Sequence, residues 1–313
     1  DGKLLPYGLY QIEGNCAYGV VQSIKPRNVF ELSDVNAIAR PGALAYLRPY
    51  IANSAPCPHP VFETILKPTR FLCLYQEQMM QIARDLAGYT MPEADTLRKA
   101  IGKKIKSLLA EQEEKLIAGM VRQGIERQTA ENIWELFPAF ARYGFNRSHA
   151  ACYGLIAYQT GYLKAHFPAE YMAALMTAEG FEIERVAALI AEAKSMEIEV
   201  LAPDVNESFE NFTVISFEPP MKLRFGLSAI KNVGSNIVEA IIKARKADGQ
   251  FMSLANFIER LLVKDLNKKS LEALAKCGAL DSLGERNQIL QNMDLILNYA
   301  RSLVSQNIAN QNS

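Results

Sequence analysis

A strongly cationic run at residues 98–106 is the first feature of the sequence that could do chemistry. Five of these nine residues are cationic and none is acidic. Because arginine can chelate phosphate oxygens with paired hydrogen bonds and lysine supplies a point charge, the run suits a polyphosphate. We expect Gly102 to end a helix and turn the backbone at this point; a solvated helix end is the alternative interpretation. The candidate nucleotide-binding residues of this run are Arg98, Lys99, Lys103 and Lys104.

Polar and aromatic side chains are concentrated at residues 143–149, around the expected start of a helix with Ser148 as its N-cap. The first N–H groups of a helix have no partner within it and attract anions, and an aromatic hydroxyl there can stack on or hydrogen-bond a sugar or base. In the alternative interpretation, Phe145 is a core residue and His149 belongs to an ordinary capping turn. The candidate nucleotide-binding residues of this segment are Tyr143, Arg147 and His149.

The segment 227–241 resembles a helix-hairpin-helix. An apolar residue is followed by a loop that ends at Gly234 and by a helix that carries a small residue, Ala240. In such a hairpin, backbone N–H groups bind a DNA phosphate without reading the base sequence. Residues 267–280 repeat the order of helix and glycine, although one glycine fits many turns. The candidate DNA-binding residues are Lys231, Asn232, Gly234, Ser235, Lys268 and Lys269.

Residues for a catalytic step are missing from these motifs. Two-metal phosphoryl transfer needs closely placed carboxylates, and no Asp-x-Asp pair occurs in the sequence. There is also no Walker A loop and no plausible Ser/His/Asp set. The sequence therefore predicts binding of nucleotide and DNA, with no catalytic residue and no metal ligand in this chain.

Helices must position most of these side chains. Apolar spacing predicts a helix at 75–87 that ends at Gly88. Thr90 and Glu93 form a predicted capping box at the start of the next helix, which we expect to reach about Ile101. Further helices are predicted at 15–24, 30–39 and 106–122, and from Thr129 as N-cap to Phe140, with Pro138 ending or kinking it. Another begins at Ser148 as N-cap and ends before Pro168, and the last are predicted at 169–179, 182–196, 227–247, 253–262, 267–277 and 284–304.

A short stretch near residues 198–226 has a different character, because alternating and β-branched segments there flank a pair of prolines. The predicted fold class is therefore mainly α, with many helices, one small β element and a helix-hairpin-helix-like module after it. We divide the chain into an irregular start at 1–72, a helical nucleotide-binding part at 73–196, an acidic connector with the β element at 197–226, a DNA-binding hairpin module at 227–285, and a C-terminal helix with a frayed tail at 286–313.

The formal net charge of zero conceals a segregation of charge along the chain. The net charge is −1 over residues 1–97, +4 over 98–178, −8 over 179–218 and +5 over 219–313. Because salt limits the reach of each charge to about 8–10 Å, the local sign matters more to a partner than the total does. Zero net charge therefore does not exclude a nucleic-acid partner, although solvated helix faces are the alternative interpretation.

Composition excludes several other classes. The chain has 313 residues, of which 49% are hydrophobic and 22% charged, which is typical of globular proteins and not of collagens or disordered tails. No apolar run approaches the roughly 18–20 residues of a membrane helix, so we expect no membrane partner. The five cysteines show no CxxC spacing, which favours a reducing, cytoplasmic location. The first residue is Asp1 and not Met, which indicates a segment cut from something longer.

Several long motifs, in the correct order, closely resemble the bacterial DNA polymerase III alpha subunit, the family C replicative polymerase. They lie at 75–83, 88–104, 143–150 and 157–173, with shorter matches at 10–13, 39–42, 225–234 and 277–281. The resemblance covers about residues 7–285 and implies the fingers region of that polymerase followed by its helix-hairpin-helix segment. In the family, the palm with three metal-binding aspartates and a PHP domain lie upstream of this part, and the sliding-clamp motif lies downstream.

The resemblance also implies roles for single residues. Arg98 and Lys99 fall on a basic pair expected to meet the incoming triphosphate, where the family usually has two arginines. Tyr143 and His149 fall on residues expected near the sugar and the phosphates, and Arg147 replaces a usual lysine.

The function implied is that of a fragment of a replicative DNA polymerase that binds an incoming dNTP and primer–template DNA during template-directed synthesis. The chain alone is expected to be inactive and to bind no cofactor, with Mg²⁺ expected in the complete polymerase. Expected partners are the palm or remaining polymerase chain and replisome subunits, including the sliding clamp through a C-terminal part that is missing. The alternative is a stand-alone, non-catalytic DNA-binding or scaffold protein with the same fold, and nucleotide binding separates the two.

Overall fold

The computed structural model describes residues 6–57, 59–60, 62–103, 105–261 and 266–311. Over these ranges the chain is mainly helical and contains one small sheet, so the predicted fold class is confirmed. The chain forms two compact units: one contains Gly8–Tyr162, and the other contains Leu163–Ser313 together with Asp1–Tyr7. Within the described residues, no helix combines the length and the apolar character that a membrane span requires.

The unit Gly8–Tyr162 consists of short helices around two cores. The helices are α1 (Asn15–Ile24), α2 (Val29–Ile38), α3 (Leu47–Ala52), α4 (Phe62–Leu66), α5 (Gln76–Ala87), α6 (Met91–Lys103), α7 (Lys106–Arg122), α8 (Arg127–Trp134), α9 (Phe137–Tyr143) and α10 (Arg147–His166), and the division between the units falls within α10. The larger core joins α4 to α9 through buried residues such as Phe62, Met79 and Phe137. The smaller core joins α1, α2 and α3 around Val35, Ile38 and residues of the segment before α5.

Local signals explain where α5 ends and α6 begins. Gly88 takes the left-handed conformation (φ 71°) that a C-terminal glycine permits without steric cost. The Thr90 N–H donates to the Glu93 carboxylate at 2.8 Å, and the Glu93 N–H reaches the Thr90 hydroxyl at 3.5 Å. The predicted glycine cap and capping box are therefore confirmed.

Gly102 does not end α6, contrary to the prediction. The helix continues to Lys103, and the N–H of Ile105 then bonds back to the carbonyl of Ala100 at 3.2 Å. Ala100 and Ile101 are buried, so packing of this last turn offsets the low helix propensity of one glycine.

The predicted start and end of the helix after residue 124 are also wrong. α8 begins at Arg127 with Glu126 as N-cap, and Thr129 lies inside it. Pro138 does not end a helix but lies in the first turn of α9, where a residue without an N–H costs no hydrogen bond.

The second unit contains a three-stranded sheet and a helical part. Its elements after α10 are α11 (Pro168–Ala178), α12 (Ile183–Ser195), β1 (Ile198–Leu201), β2 (Thr213–Ser216), β3 (Met221–Arg224), α13 (Ser235–Asp248), α14 (Leu254–Leu261), α15 (Lys268–Lys276), α16 (Arg286–Gln291) and α17 (Met293–Gln311). The strand order is β1-β3-β2, with β1 parallel and β2 antiparallel to β3. The predicted β element is thus confirmed, whereas two predicted helices differ: 227–247 is a 3-10 turn (Leu227–Ala229) followed by α13, and 284–304 is divided at Asn292 into α16 and α17.

Two cores organise this unit. α11 and α12 pack on the sheet through Met172, Leu189 and Leu223. The helices from α13 onward surround a separate core that includes Ile237 and Leu274. The division of the chain into five functional parts remains a prediction.

Candidate nucleotide and DNA interface

Arg98 and Lys99 lie on one side of α6 and share a single carboxylate. Asp95 accepts hydrogen bonds from Arg98 Nε at 2.9 Å and from Lys99 Nζ at 2.7 Å, which is the contact expected of residues three and four apart on a helix. These bonds from Lys99 and then Arg98 hold the pKa of Asp95 below its usual range. The two cations are partly or largely exposed, so a phosphate group could replace the carboxylate as their partner.

Gln76, the first residue of α5, connects the two predicted nucleotide-binding segments. Its Oε1 accepts a hydrogen bond from Arg98 Nη1 at 3.4 Å, and its Nε2 donates to the carbonyl of Gly144 at 3.3 Å. Its backbone N–H donates to the carbonyl of Phe145 at 2.9 Å. The structure therefore brings Arg98 and the segment around Gly144 to the same end of α5.

Gly144 is required at this junction by a close approach of backbone. A Cβ at this position would lie 2.7 Å from the carbonyl oxygen of Phe140 and 3.2 Å from a side-chain carbon of Gln76. We predict that Gly144→Ala lowers the free energy of unfolding by about 1–2 kcal/mol, because the added methyl group overpacks a filled site. Urea denaturation measures this change.

The control for this prediction is Gly19→Ala within α1. Apart from its chain neighbours and the backbone of its own helix, no atom lies within 4 Å of a Cβ built there, so this substitution should leave stability unchanged or raise it through the higher helix propensity of alanine. Equal stability of Gly144→Ala and the wild type would show that the junction is not tightly packed.

The start of α10 is capped by Asn146 and not by Ser148. The helix begins at Arg147, and Asn146 Oδ1 accepts the N–H of His149 at 2.8 Å. The carboxylate of Glu77 accepts the Arg147 N–H and the Asn146 side-chain amide, both at 2.9 Å. A carboxylate is favourable at a helix N-terminus, so an incoming anion would have to compete with Glu77 for this position.

Arg147 and His149 are exposed and rest on aromatic rings. The guanidinium of Arg147 lies 5.7 Å from the ring centroid of Tyr75. The imidazole of His149 lies 3.9 Å from the ring of Tyr153 and 5.3 Å, edge to face, from that of Phe145. These ring contacts restrict the side chains that the sequence predicted to meet a nucleotide.

A cleft of about 370 Å³ lies beside His149. Its walls include Phe145, Tyr153 and Arg40, whose guanidinium stacks 4.4 Å from the ring of Phe145. The cleft therefore joins a cation to flat apolar surfaces, a combination that suits a nucleotide.

The remaining candidates of this unit are less informative. Lys103 is the exposed last residue of α6. Tyr143 is the last residue of α9. Its side chain is not among those that the structure describes. Lys104 also falls outside the described residues.

The hairpin candidates lie in an exposed turn before α13. Asn232 has a positive φ of 70°, which asparagine adopts more readily than most residues, and Gly234 is the N-cap of α13, with Ser235 as its first residue. Val233 is buried between these exposed residues and anchors the turn to the core. The turn thus places Lys231 in solvent close to a helix N-terminus, where a phosphate can be bound.

Lys268 and Lys269 start α15, which packs on the same core as α13. Asn267 caps this helix by accepting the N–H groups of Lys269 and Ser270 at 2.9 and 3.1 Å. Lys268 pairs with Asp294 at 2.9 Å, and this hydrogen bond raises the pKa of Lys268. Both lysines are exposed.

Sequence reasoning missed the polar partners of the candidate cations. Asp95 could have been found from its spacing, because it lies three and four residues before Arg98 and Lys99. No local sequence pattern indicated that Gln76 and Glu77 contact residues about 70 positions later. In the part of the chain that the structure describes, no group of three or more His, Cys, Asp or Glu side chains is arranged to hold a metal ion.

Two family models match this chain. Residues 2–124 match the bacterial DNA polymerase III alpha subunit finger domain, and residues 197–290 match the helix-hairpin-helix motif. The second match covers the sheet, the exposed turn and α13 to α15.

Among curated proteins, the chain is similar to DNA polymerase III alpha subunits of several bacteria. It is 39% identical over 303 residues to that of Thermus aquaticus and 42% identical over 288 residues to that of Pseudomonas aeruginosa. These alignments cover 94% and 88% of this chain but 24% of each relative, so the chain spans about a quarter of their length. Over the part that carries a finger domain and a helix-hairpin-helix motif, the chain is therefore similar to the bacterial DNA polymerase III alpha subunit.

Proposed function

We propose that this chain is the fingers part of a replicative DNA polymerase, which binds the incoming dNTP and holds primer–template DNA during template-directed synthesis. The observation that carries the proposal is that Gln76 joins the cationic segment of Arg98 to the segment that leads into Arg147 and His149. This residue bonds both Arg98 and Gly144, although the two segments are far apart in sequence. A triphosphate is the polyanion that such a group of cations suits, given the polymerase family that the chain resembles.

In this proposal the cations act on the phosphates of the bound nucleotide. Arg98 and Lys99 leave Asp95 and neutralise phosphate charge, while Arg147 and His149 hold the nucleotide from the start of α10. Fixed cations of this kind align the reacting phosphate and stabilise charge that develops during transfer. In the family that the chain resembles, the metal-binding aspartates lie upstream of this part, so we propose that another part of the polymerase binds Mg²⁺.

The hairpin is proposed to grip the DNA backbone. The N–H groups at Gly234 and Ser235 would bind a phosphate, with Lys231, Lys268 and Lys269 adding charge nearby. Such contacts are independent of base sequence and weaken as salt rises, because binding releases counterions. Further partners proposed for the chain are the remaining polymerase and the other replisome subunits, including the sliding clamp.

The test of nucleotide binding is the substitution Arg98→Ala. Loss of a charge-assisted contact with phosphate is worth about 1.5–3 kcal/mol, so we predict that dNTP affinity falls roughly tenfold to a hundredfold. Isothermal titration of the 313-residue chain with dATP measures this change. The matched control is Arg127→Ala. Arg127 also forms an ion pair within a helix, with Glu131 at 3.0 Å, and its removal should leave dNTP affinity unchanged.

A scaffold that binds DNA alone is the second candidate function, and the carboxylates at the site favour it. Asp95 already accepts a hydrogen bond from Arg98, and Glu77 already accepts the N–H of Arg147 at the start of α10. A protein that binds no nucleotide would have the same contacts. Unchanged dNTP affinity in both Arg98→Ala and His149→Ala, together with loss of DNA binding in Gly234→Val, would establish the scaffold and overturn the proposed nucleotide site.

A further inference from the structure

A buried carboxylate lies beneath the candidate nucleotide site. Asp34 of α2 is 4% exposed, and each of its oxygens accepts a hydrogen bond from a tyrosine hydroxyl. Tyr75 donates to Oδ1 at 2.6 Å and Tyr50 donates to Oδ2 at 2.7 Å. The two tyrosines are themselves buried, so these three side chains form a closed polar group within the smaller core.

This arrangement is costly to keep in an apolar core. Burial raises the pKa of the Asp34 carboxyl to about 6, and the hydrogen bonds from Tyr75 and Tyr50 oppose that rise. A buried carboxylate is tolerated only where hydrogen bonds and opposite charge replace water. The charges that face it are Arg147 and Glu31, with Arg70 beyond Tyr50.

The two tyrosines differ in what lies on their outer side. The ring of Tyr50 lies under Arg70, which also bonds the Tyr50 carbonyl at 2.9 Å and Glu31 at 3.3 Å. The ring of Tyr75 lies under Arg147, which the proposed function assigns to the nucleotide. Tyr75 also pairs through its backbone with Phe145, next to the segment that leads into α10.

We propose that Asp34 is a positioning residue for phosphate binding: through its hydrogen bond to Tyr75 it fixes the ring on which Arg147 rests, and thereby holds that cation in place. The inference rests on the proposed function, because it requires Arg147 to contact phosphate. A purely electrostatic effect of Asp34 would have the opposite sign. A buried anion close to the site would repel phosphate, and its removal would strengthen binding.

A double-mutant cycle tests this inference with inorganic tripolyphosphate as the probe, titrated into the 313-residue chain at pH 8. Asp34→Asn and Tyr75→Phe should each weaken binding by about threefold to tenfold, as expected for residues that act through a shared contact. In an Arg147→Ala background, both substitutions should have no further effect. Tyr75→Phe keeps the buried ring, so it tests the inference even if Asp34→Asn fails to fold.

The control is Tyr50→Phe, which removes the equivalent hydrogen bond on the side of Arg70. It should change tripolyphosphate affinity less than twofold. All these variants should lose stability, and thermal denaturation followed by circular dichroism measures that loss.

The pH profile supplies a second readout that a general loss of packing would not produce. The ratio of wild-type to Asp34→Asn affinity should be near one at pH 5, where the wild-type carboxyl is protonated, and should rise through about pH 6. Because titration of the phosphate and of other side chains affects both proteins, it cancels in this ratio.

Equal or tighter binding by Asp34→Asn at pH 8 would overturn the inference, as would an equal loss in Tyr50→Phe. If Arg147→Ala itself leaves binding unchanged, the role of Arg147 and this inference both fail, while Arg98→Ala still tests the proposed function separately.

Discussion

Replacing Lys164 by methionine is expected to lower the free energy of unfolding by about 3–5 kcal/mol, the cost of leaving one member of a buried ion pair without its partner. The ammonium of Lys164 donates to the carboxylate of Glu192 and, at 2.7 Å, to the carbonyl of Tyr7. Glu192 is 1% exposed, so water cannot replace the lost cation. Urea denaturation at pH 7.5 measures the difference.

The same substitution should make stability depend on pH. Burial already raises the pKa of Glu192, and loss of Lys164 raises it further. A carboxyl whose pKa is higher in the folded state than in the unfolded state binds its proton more tightly when folded. The variant should therefore recover stability relative to the wild type as pH falls and the Glu192 carboxylate takes up a proton.

Two further variants separate charge from shape at this site. Lys194→Met removes an exposed lysine of α12 and should change stability by less than about 0.5 kcal/mol. Lys164→Met combined with Glu192→Leu removes both charges and should restore much of the lost stability. If Lys164→Met alone were as stable as the wild type, water would have to reach Glu192 and replace the lost cation.

Gly226→Ala should lower the free energy of unfolding of the second unit by about 3 kcal/mol, at the upper end of overpacking effects. A Cβ at this position would lie 2.6–2.8 Å from backbone atoms of Glu210, Asn211 and Phe212. Backbone cannot rotate away as a side chain can, so the strand end or the following turn must move. Gly226 directly precedes the 3-10 turn that leads to the hairpin. DNA affinity should therefore fall with stability.

Gly284→Ala is the matched control for Gly226→Ala. Its Cβ would meet carbons of Ile289 at 3.6 and 3.8 Å, which is ordinary contact distance. Thermal denaturation of the two variants, with fluorescence anisotropy on a primer–template duplex, should show a loss only for Gly226→Ala. Comparable melting temperatures would mean that the backbone around Asn211 yields easily.

Local sequence was sufficient at the boundary between α5 and α6, where each helix end depends on a specific cap. Gly88, Thr90 and Glu93 act within a few residues, and their geometry follows from their side chains. Boundaries failed where packing outweighed the local signal. Gly102 stays helical beside the buried Ile101, and Pro138 lies in the first turn of α9, where an end or a kink was predicted.

The sequence by itself determined the resemblance to a polymerase family, the mainly helical class and the identity of the cations that a polyanion would meet. These features depend on residue type, periodicity and the order of motifs along the chain. Only the tertiary structure decided what those cations contact. Asp34 meets Tyr75 across 41 positions, and Glu77 meets Arg147 across 70. Nothing in either segment specifies the other, because such contacts arise only when packing of apolar faces brings distant segments together.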